Sequence, residues 1–334
     1  MPAKATKRVL IAGGSGFLGS YLCDYYTAKG WTVDCLDNLS TSSTKNIKHL
    51  RQKTNFNFIN ADITKKIPKK IRQRKYNLVI NMASPASPPK YQDLAIETLQ
   101  AGSQGTLNLL ELANQSKARF FHASTSEVYG DPEIHPQPES YWGKVHSYGP
   151  RSMYDESKRY AEALIFSYKQ KHGLSTATAR FFNTYGPRMD PFDGRVVTNF
   201  VMQALYGQPI TIYGDGSQTR SFCYVDDLVD GIVAMISSKE EGPMNLGNPS
   251  EFTVKELADM VVKKTASKSK ITYLSLPGDD PTQRCPDISL AKKKLGWRPH
   301  TTLEQGLDKT IEYFRQTAKD YQRVEKLELP RPKF

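Results

Sequence analysis

KRVLIAGGSGFLG, from Lys7 to Gly19, is the stretch on which the fold turns. A short apolar run that ends in glycines reads as a buried parallel strand. The glycines open a helix, Ser20–Lys29, which Gly30 closes, and a second strand, Thr32–Leu36, ends at Asp37, 18 residues beyond Gly19. Glycine at such a turn lets the backbone approach a diphosphate, whose charge then rests on the helix N-terminus. A carboxylate at the end of the second strand accepts hydrogen bonds from ribose hydroxyls and repels a 2′-phosphate. No Arg or Lys follows it before Lys45, so the pattern favours NAD over NADP. The cofactor candidates are Gly13, Gly16, Phe17, Leu18, Gly19, Asp37 and Asn38. Asp62 and Ile63, after the third strand, join them on the adenine side.

Working outward, strands are expected at Phe56–Ala61, Leu78–Met82, Arg119–Ala123 and Thr176–Phe182. Helices are expected at Tyr91–Ser116 and at Tyr154–His172, the latter closed by Gly173. Strands alternating with helices imply a Rossmann-like, doubly wound parallel α/β sheet. After residue 183 the rhythm gives way to loops rich in Gly and Pro (NTYGPRMDPFDGR, YGDGSQTR, LPGDDPTQRCPD) with helices between them. The expected organisation is a dinucleotide domain over 1–182, with 213–243 contributing elements. A smaller C-terminal substrate-binding domain spans 183–320, and a loosely ordered tail covers 321–334.

The chain has 334 residues, 38% hydrophobic and 24% charged, which suits a globular protein and excludes a disordered or fibrous one. No run approaches the roughly 18 apolar residues of a membrane span, and the start shows no signal-peptide pattern. Cys23, Cys35, Cys223 and Cys285 form no CxxC pair, as expected of reduced thiols in a cytoplasmic protein. The net charge of +12 invites a nucleic-acid reading. Between Lys45 and Lys75, however, lie eleven basic residues, one acid and only two aromatics (Phe56, Phe58), with Tyr76 just beyond and no recognisable nucleic-acid motif. That stretch reads as a solvated face, and no nucleic-acid partner is expected.

Tyr154-Asp155-Glu156-Ser157-Lys158 puts a tyrosine and a lysine at i, i+4, on one helix face. A phenol with a pKa of about 10 is a poor base at neutral pH, and a neighbouring ammonium together with the cationic nicotinamide ring favours the phenolate. Upstream, the fifth strand runs into Ser124-Thr125-Ser126-Glu127, at the strand end where such sheets place their chemistry. Thr125 or Ser126 can hydrogen-bond a hydroxyl or keto oxygen, and Glu127 adds an acid or base.

These segments, with MASPASPPKY, ASTSEVYGDPEIHPQPESYWG, ARFFNTYGPRM, DGRVVTNF, IYGDGSQTRSFCYVDDLVDGI, NLGNP and DDPTQRCPDISLAKKKLGWRP, resemble the extended short-chain dehydrogenase/reductases that act on nucleotide sugars. Within that group the likeness is to the UDP-glucuronate decarboxylase family, over nearly the whole chain. The resemblance implies NAD-dependent oxidation of UDP-glucuronate at C4″, loss of carbon dioxide from the resulting β-keto acid, and return of the hydride to give UDP-xylose. Tyr154 and Lys158 would act at the hydroxyl, with Thr125, Ser126, Glu127 and Arg220 completing the catalytic set. Met82 and Ser84 would adjoin the cofactor. Asn183, Arg195, Tyr213, Arg220 and Arg284 would hold the UDP-sugar, Arg284 at the diphosphate. The family pattern also implies a homodimer through the helices 91–116 and 154–172. Gln100-Ala101 stands where the family commonly has Lys-Thr, which removes one expected cationic contact. A 4,6-dehydratase would place an acid before the Glu, where Ser126 stands, and a 4-epimerase usually lacks the Glu. A non-catalytic NAD- or RNA-binding relative has no need of Tyr154, Lys158 and Glu127 together.

Overall fold

A computed structural model of the chain describes residues 6–275 and 283–321. The tail Val324–Phe334 and most of the LPGDDPTQRCPD loop lie outside the described residues. A seven-stranded parallel sheet organises the rest. Its strands are β1 (Arg8–Ala12), β2 (Thr32–Asp37), β3 (Phe56–Asn60), β4 (Leu78–Asn81), β5 (Arg119–Thr125), β6 (Thr176–Phe181) and, later in the chain, Met244–Leu246. Their spatial order is Met244–Leu246, then β6, β5, β4, β1, β2, β3. Both faces are covered, so the strands are apolar throughout rather than alternating. Val9 and Ile11 enter one buried cluster, Leu10 and Ala12 the other.

The order reverses direction between β1 and β4, and the chain leaving these two strands frames a crevice at their carboxyl ends. There Gly13 takes a φ of +72°, and a Cβ on it would stand 2.7 Å from the backbone of Met82 and Ala83. Only glycine lets the two strand ends approach so closely. The helix that follows, α1 (Phe17–Ala28), has Gly16 as its N-cap and no side-chain cap, so its first N–H groups are left for a ligand.

Two expectations are corrected. The seventh strand was not foreseen, because three residues between turns carry no periodicity. The single helix expected over Tyr91–Ser116 is broken into α3 (Pro88–Asp93), α4 (Ala95–Gln100), a wide π turn (Ala101–Gly105) and α5 (Thr106–Ser116). Leu94 leaves helical geometry at φ −113°, ψ 47°. The wide turn seats Gly102 against α6 (Ser152–His172), where a Cβ would meet the Ser157 carbonyl at 2.5 Å. A strong helical pattern in sequence does not reveal such interruptions, which tertiary packing sets.

Beyond β6, short strands line the far side of the crevice. They are β7 (Thr184–Tyr185), β8 (Ile210–Tyr213), β9 (Thr219–Ser221) and β10 (Cys223–Tyr224). Next come β11 (the Met244–Leu246 strand already described), β12 (Glu251–Thr253), β13 (Ile271–Leu274) and β14 (Gln283–Arg284). β9 is the hub, antiparallel to β12 and parallel to β14. In the basic stretch, all eleven cationic residues but Arg74 are exposed. Arg74 turns inward to the fully buried Asp34, 2.7 Å away, which also takes Tyr76 and Arg8. Among the described residues no helix is long and apolar enough to cross a membrane.

Candidate active site

One cavity of about 690 Å³ runs from the glycine turn, across the carboxyl ends of β1, β4 and β5, to β8 and β9. Its walls contain Gly13, Gly16, Phe17, Leu18, Gly19, Met82, Ser84, Thr125, Ser126, Glu127, Tyr154, Lys158, Asn183, Arg195, Tyr213, Arg220 and Arg284. Four cofactor candidates are not among them. Asp37 is buried, and its carboxylate accepts hydrogen bonds from Ser15 N (3.1 Å), Leu39 N (2.9 Å) and Ser42 Oγ (3.1 Å). Asp62 folds back on Thr64 N and Oγ1, both at 2.8 Å, and receives Asn38 Nδ2 at 3.3 Å. Ile63 is buried against Gly105. Short polar side chains in turns satisfy their own backbone in this way, which sequence position alone does not disclose.

The chemical end is built where β5 meets α6. Thr125 caps the turn after β5, its Oγ1 accepting from Glu127 N at 3.2 Å, and its side chain hydrogen-bonds Tyr154. The Tyr154 ring stacks on Tyr91, 5.0 Å between centroids and 10° between planes. One turn along α6, Lys158 donates from Nζ to the Ala123 carbonyl at 2.8 Å, and its ammonium lies 5.8 Å from the Tyr154 ring centre. Burial dominates both groups. It pushes the Tyr154 phenol up to about 12 against the Thr125 hydrogen bond, and it brings Lys158 down to about 8 against the Glu162 carboxylate. In the ligand-free protein desolvation prevails, and a further positive charge has to enter beside the phenol.

Glu127 is clamped between two guanidinium groups, Arg151 and Arg284, each at 2.7 Å. Burial would raise its carboxyl, but the two cations outweigh it and hold Glu127 well below the usual carboxylate range. Arg284 also donates to Ser126 Oγ (3.3 Å) and to the Gly130 carbonyl (2.8 Å). It therefore stands at the chemical end of the cavity, held by Glu127. Arg195 is likewise matched, its guanidinium forked on Asp193 at 2.5 and 2.8 Å. Asp155, buried beside this cluster, is pushed upward by burial and by Glu127.

Sequence reasoning missed Arg151. It precedes Tyr154 by three residues, one helical turn, and that spacing was the available signal. The segment MASPASPPKY was expected beside nicotinamide and sugar, but the stacking of its Tyr91 on Tyr154 was not foreseen. Arg188 was also missed. It lines the cavity near the glycine turn and covers the Tyr21 ring at 4.4 Å.

The glycine turn, the uncapped helix and the Tyr–Lys pair fit a nicotinamide dinucleotide. The pattern of the GDP-mannose 4,6 dehydratase family matches residues 10–310. UDP-glucuronic acid decarboxylase 1 of Xenopus tropicalis is 46% identical over 98% of this chain and 77% of its own length. UDP-glucuronic acid decarboxylase 1 of Danio rerio is 48% identical over 93% of this chain and 73% of its own. Among solved structures, UDP-glucuronic acid 4-epimerase from Bacillus cereus, in complex with UDP-glucuronic acid and NAD, superposes with a TM-score of 0.84. It is 28% identical, over 92% of this chain and 99% of that one.

Proposed function

The chain belongs to the UDP-glucuronic acid decarboxylase family, and on that premise we propose that it converts UDP-glucuronate to UDP-xylose and carbon dioxide with NAD recycled. The observation that carries this reading is the Arg151–Glu127–Arg284 cluster beside Tyr154. It offers a fixed carboxylate and excess positive charge but no acid at Ser126 to expel a hydroxyl, as a dehydratase needs.

The Gly13–Gly19 turn, Met82, Ser84, Tyr154 and Lys158 would hold NAD, which when bound would supply the hydride acceptor for C4″ and the hydride that is later returned. Tyr154 takes the proton from the C4″ hydroxyl, with Thr125 and Lys158 stabilising the phenolate. The C6″ carboxylate then lies β to a ketone, so the C5″–C6″ bond breaks with its electron pair passing into the carbonyl. Thr125, Ser126 and Tyr154 hydrogen-bond the enolate oxygen that forms. A proton taken from solvent at C5″, and return of the proton from Tyr154 to the C4″ oxygen with the hydride to C4″, complete a cycle with no net oxidation. Arg220, with Asn183 and Tyr213 at the β8–β9 end, holds the nucleotide-sugar side. The test is NMR analysis after incubation with UDP-glucuronate and catalytic NAD. UDP-xylose with carbon dioxide is expected, while a 4-epimer or a 4-keto-6-deoxy sugar would overturn the proposal.

Asp37 anchors the glycine turn through Ser15 N and offers the ribose its acceptor, so Asp37→Ala should weaken NAD binding by about tenfold or more in a direct titration. We assign the oligomer as a homodimer. Ile96 on α4 and Phe166 on α6 are 63% and 62% exposed, side chains that pairing of these helices would cover. Phe166→Glu should then shift the mass measured by sedimentation from two chains towards one. Four free, buried thiols support a cytoplasmic location.

A further inference from the structure

Beside the strands that flank β9, three chemically different side chains converge: His135, Glu251 and Cys285. Their donor atoms all lie within 4.8 Å of one another, the one such group among the described residues. His135 Nε2 already meets Glu251 Oε2 at 2.8 Å. Each ligand comes from a braced segment. Glu251 lies on β12, paired with Ser221 of β9, and its other oxygen accepts from Thr219 Oγ1 at 2.7 Å. Cys285 directly follows β14, which pairs with the other edge of β9. The segment holding His135 is tied to that of Cys285 by Gln137, through Gln137 N to the Cys285 carbonyl (2.8 Å) and Cys285 N to Gln137 Oε1 (2.9 Å).

We propose that His135, Glu251 and Cys285 form a binding site for a thiophilic divalent cation of the zinc class, with solvent as the fourth ligand. Imidazole, carboxylate and thiolate are the donors zinc takes. With bonds of about 2.0–2.3 Å, a tetrahedral site sets donors roughly 3.3–3.8 Å apart, so His135 and Glu251 have to open slightly while the widest separation in the group closes by up to about an ångström. The His135 side chain is partly exposed, which gives the ion an entry from solvent, whereas the buried Cys285 keeps the bound thiolate from oxidants. Uptake displaces the thiol proton, so binding strengthens as pH rises. The adjacent residue is Arg284, whose guanidinium holds Glu127, and the ion would brace the segment that carries it.

The test uses the full, tag-free chain with metal alone. Zn²⁺ titration should give one site per chain, and Co²⁺ should produce the intense absorption of a tetrahedral thiolate complex. Cys285→Ser should remove that absorption and weaken Zn²⁺ by more than about tenfold, and His135→Ala should weaken it similarly. Absence of the thiolate absorption in the wild-type protein, or equal Zn²⁺ affinity in wild type and Cys285→Ser, would overturn the proposal and leave His135–Glu251 a surface ion pair. Unchanged melting of both metal-free variants separates ligand loss from misfolding.

Discussion

Tyr154→Phe should lower turnover by about 10²- to 10⁴-fold, the contribution expected of a positioned proton-transfer group, while UDP-glucuronate affinity stays close to that of the wild type. The substitution removes one oxygen. The ring keeps its place on Tyr91, and only the Thr125 hydrogen bond is lost. Calorimetric titration and product NMR separate the two effects, and wild-type-like turnover in the variant would remove Tyr154 from the chemistry. The pH profile carries the same logic. Lys158 titrates near 8 in the free protein and has to be charged to support a phenolate. With the Tyr154 phenol pushed up to about 12, the profile of kcat/KM should rise with pH and then level off above about 8, where each gain in phenolate is matched by a loss of lysine charge. A profile still rising through that region would show that the lysine charge is not needed.

The half of this machinery that is local in sequence was legible there. Strand, glycine turn and helix are contiguous, and Tyr154 and Lys158 share a helix face, so chain order and helical period were enough to place them. What needed three dimensions was the partnering. Arg284 reaches Ser126 across 158 residues, and nothing in its loop indicated that its guanidinium would close on Glu127. Asp37 was recognised by its place at a strand end, but that Ser15, Leu39 and Ser42 would enclose its carboxylate depends on a tight turn with no periodic signal. The seventh strand was hidden for a related reason. Three residues form it only because β6 offers an unpaired edge.

Glu127→Gln should both destabilise the fold and slow the reaction, and the way it fails distinguishes a structural ion cluster from a catalytic one. The variant removes the carboxylate that Arg151 and Arg284 share while both guanidinium groups stay buried, a loss that costs up to about 3–5 kcal/mol where nothing else compensates the charge. The cost should be partly relieved by Asp155. Glu127 is one of the causes that raise Asp155, so neutralising position 127 lets Asp155 ionise beside Arg151. Glu127→Gln combined with Asp155→Asn should then be less stable than the two single changes predict together, whereas strict additivity would refute the coupling. The sign of the pH effect follows from the low folded value of Glu127. Its stabilisation is fully present above the ordinary carboxylate range and is lost as pH falls through the folded value, so wild type should shed stability in acid that Glu127→Gln never had. Melting temperatures across that range check the sign. Turnover at neutral pH, well below the melting point, checks the chemistry. A variant that melts early but turns over normally would confine Glu127 to holding the two arginines, while a loss of turnover in excess of the folded fraction keeps it in the reaction.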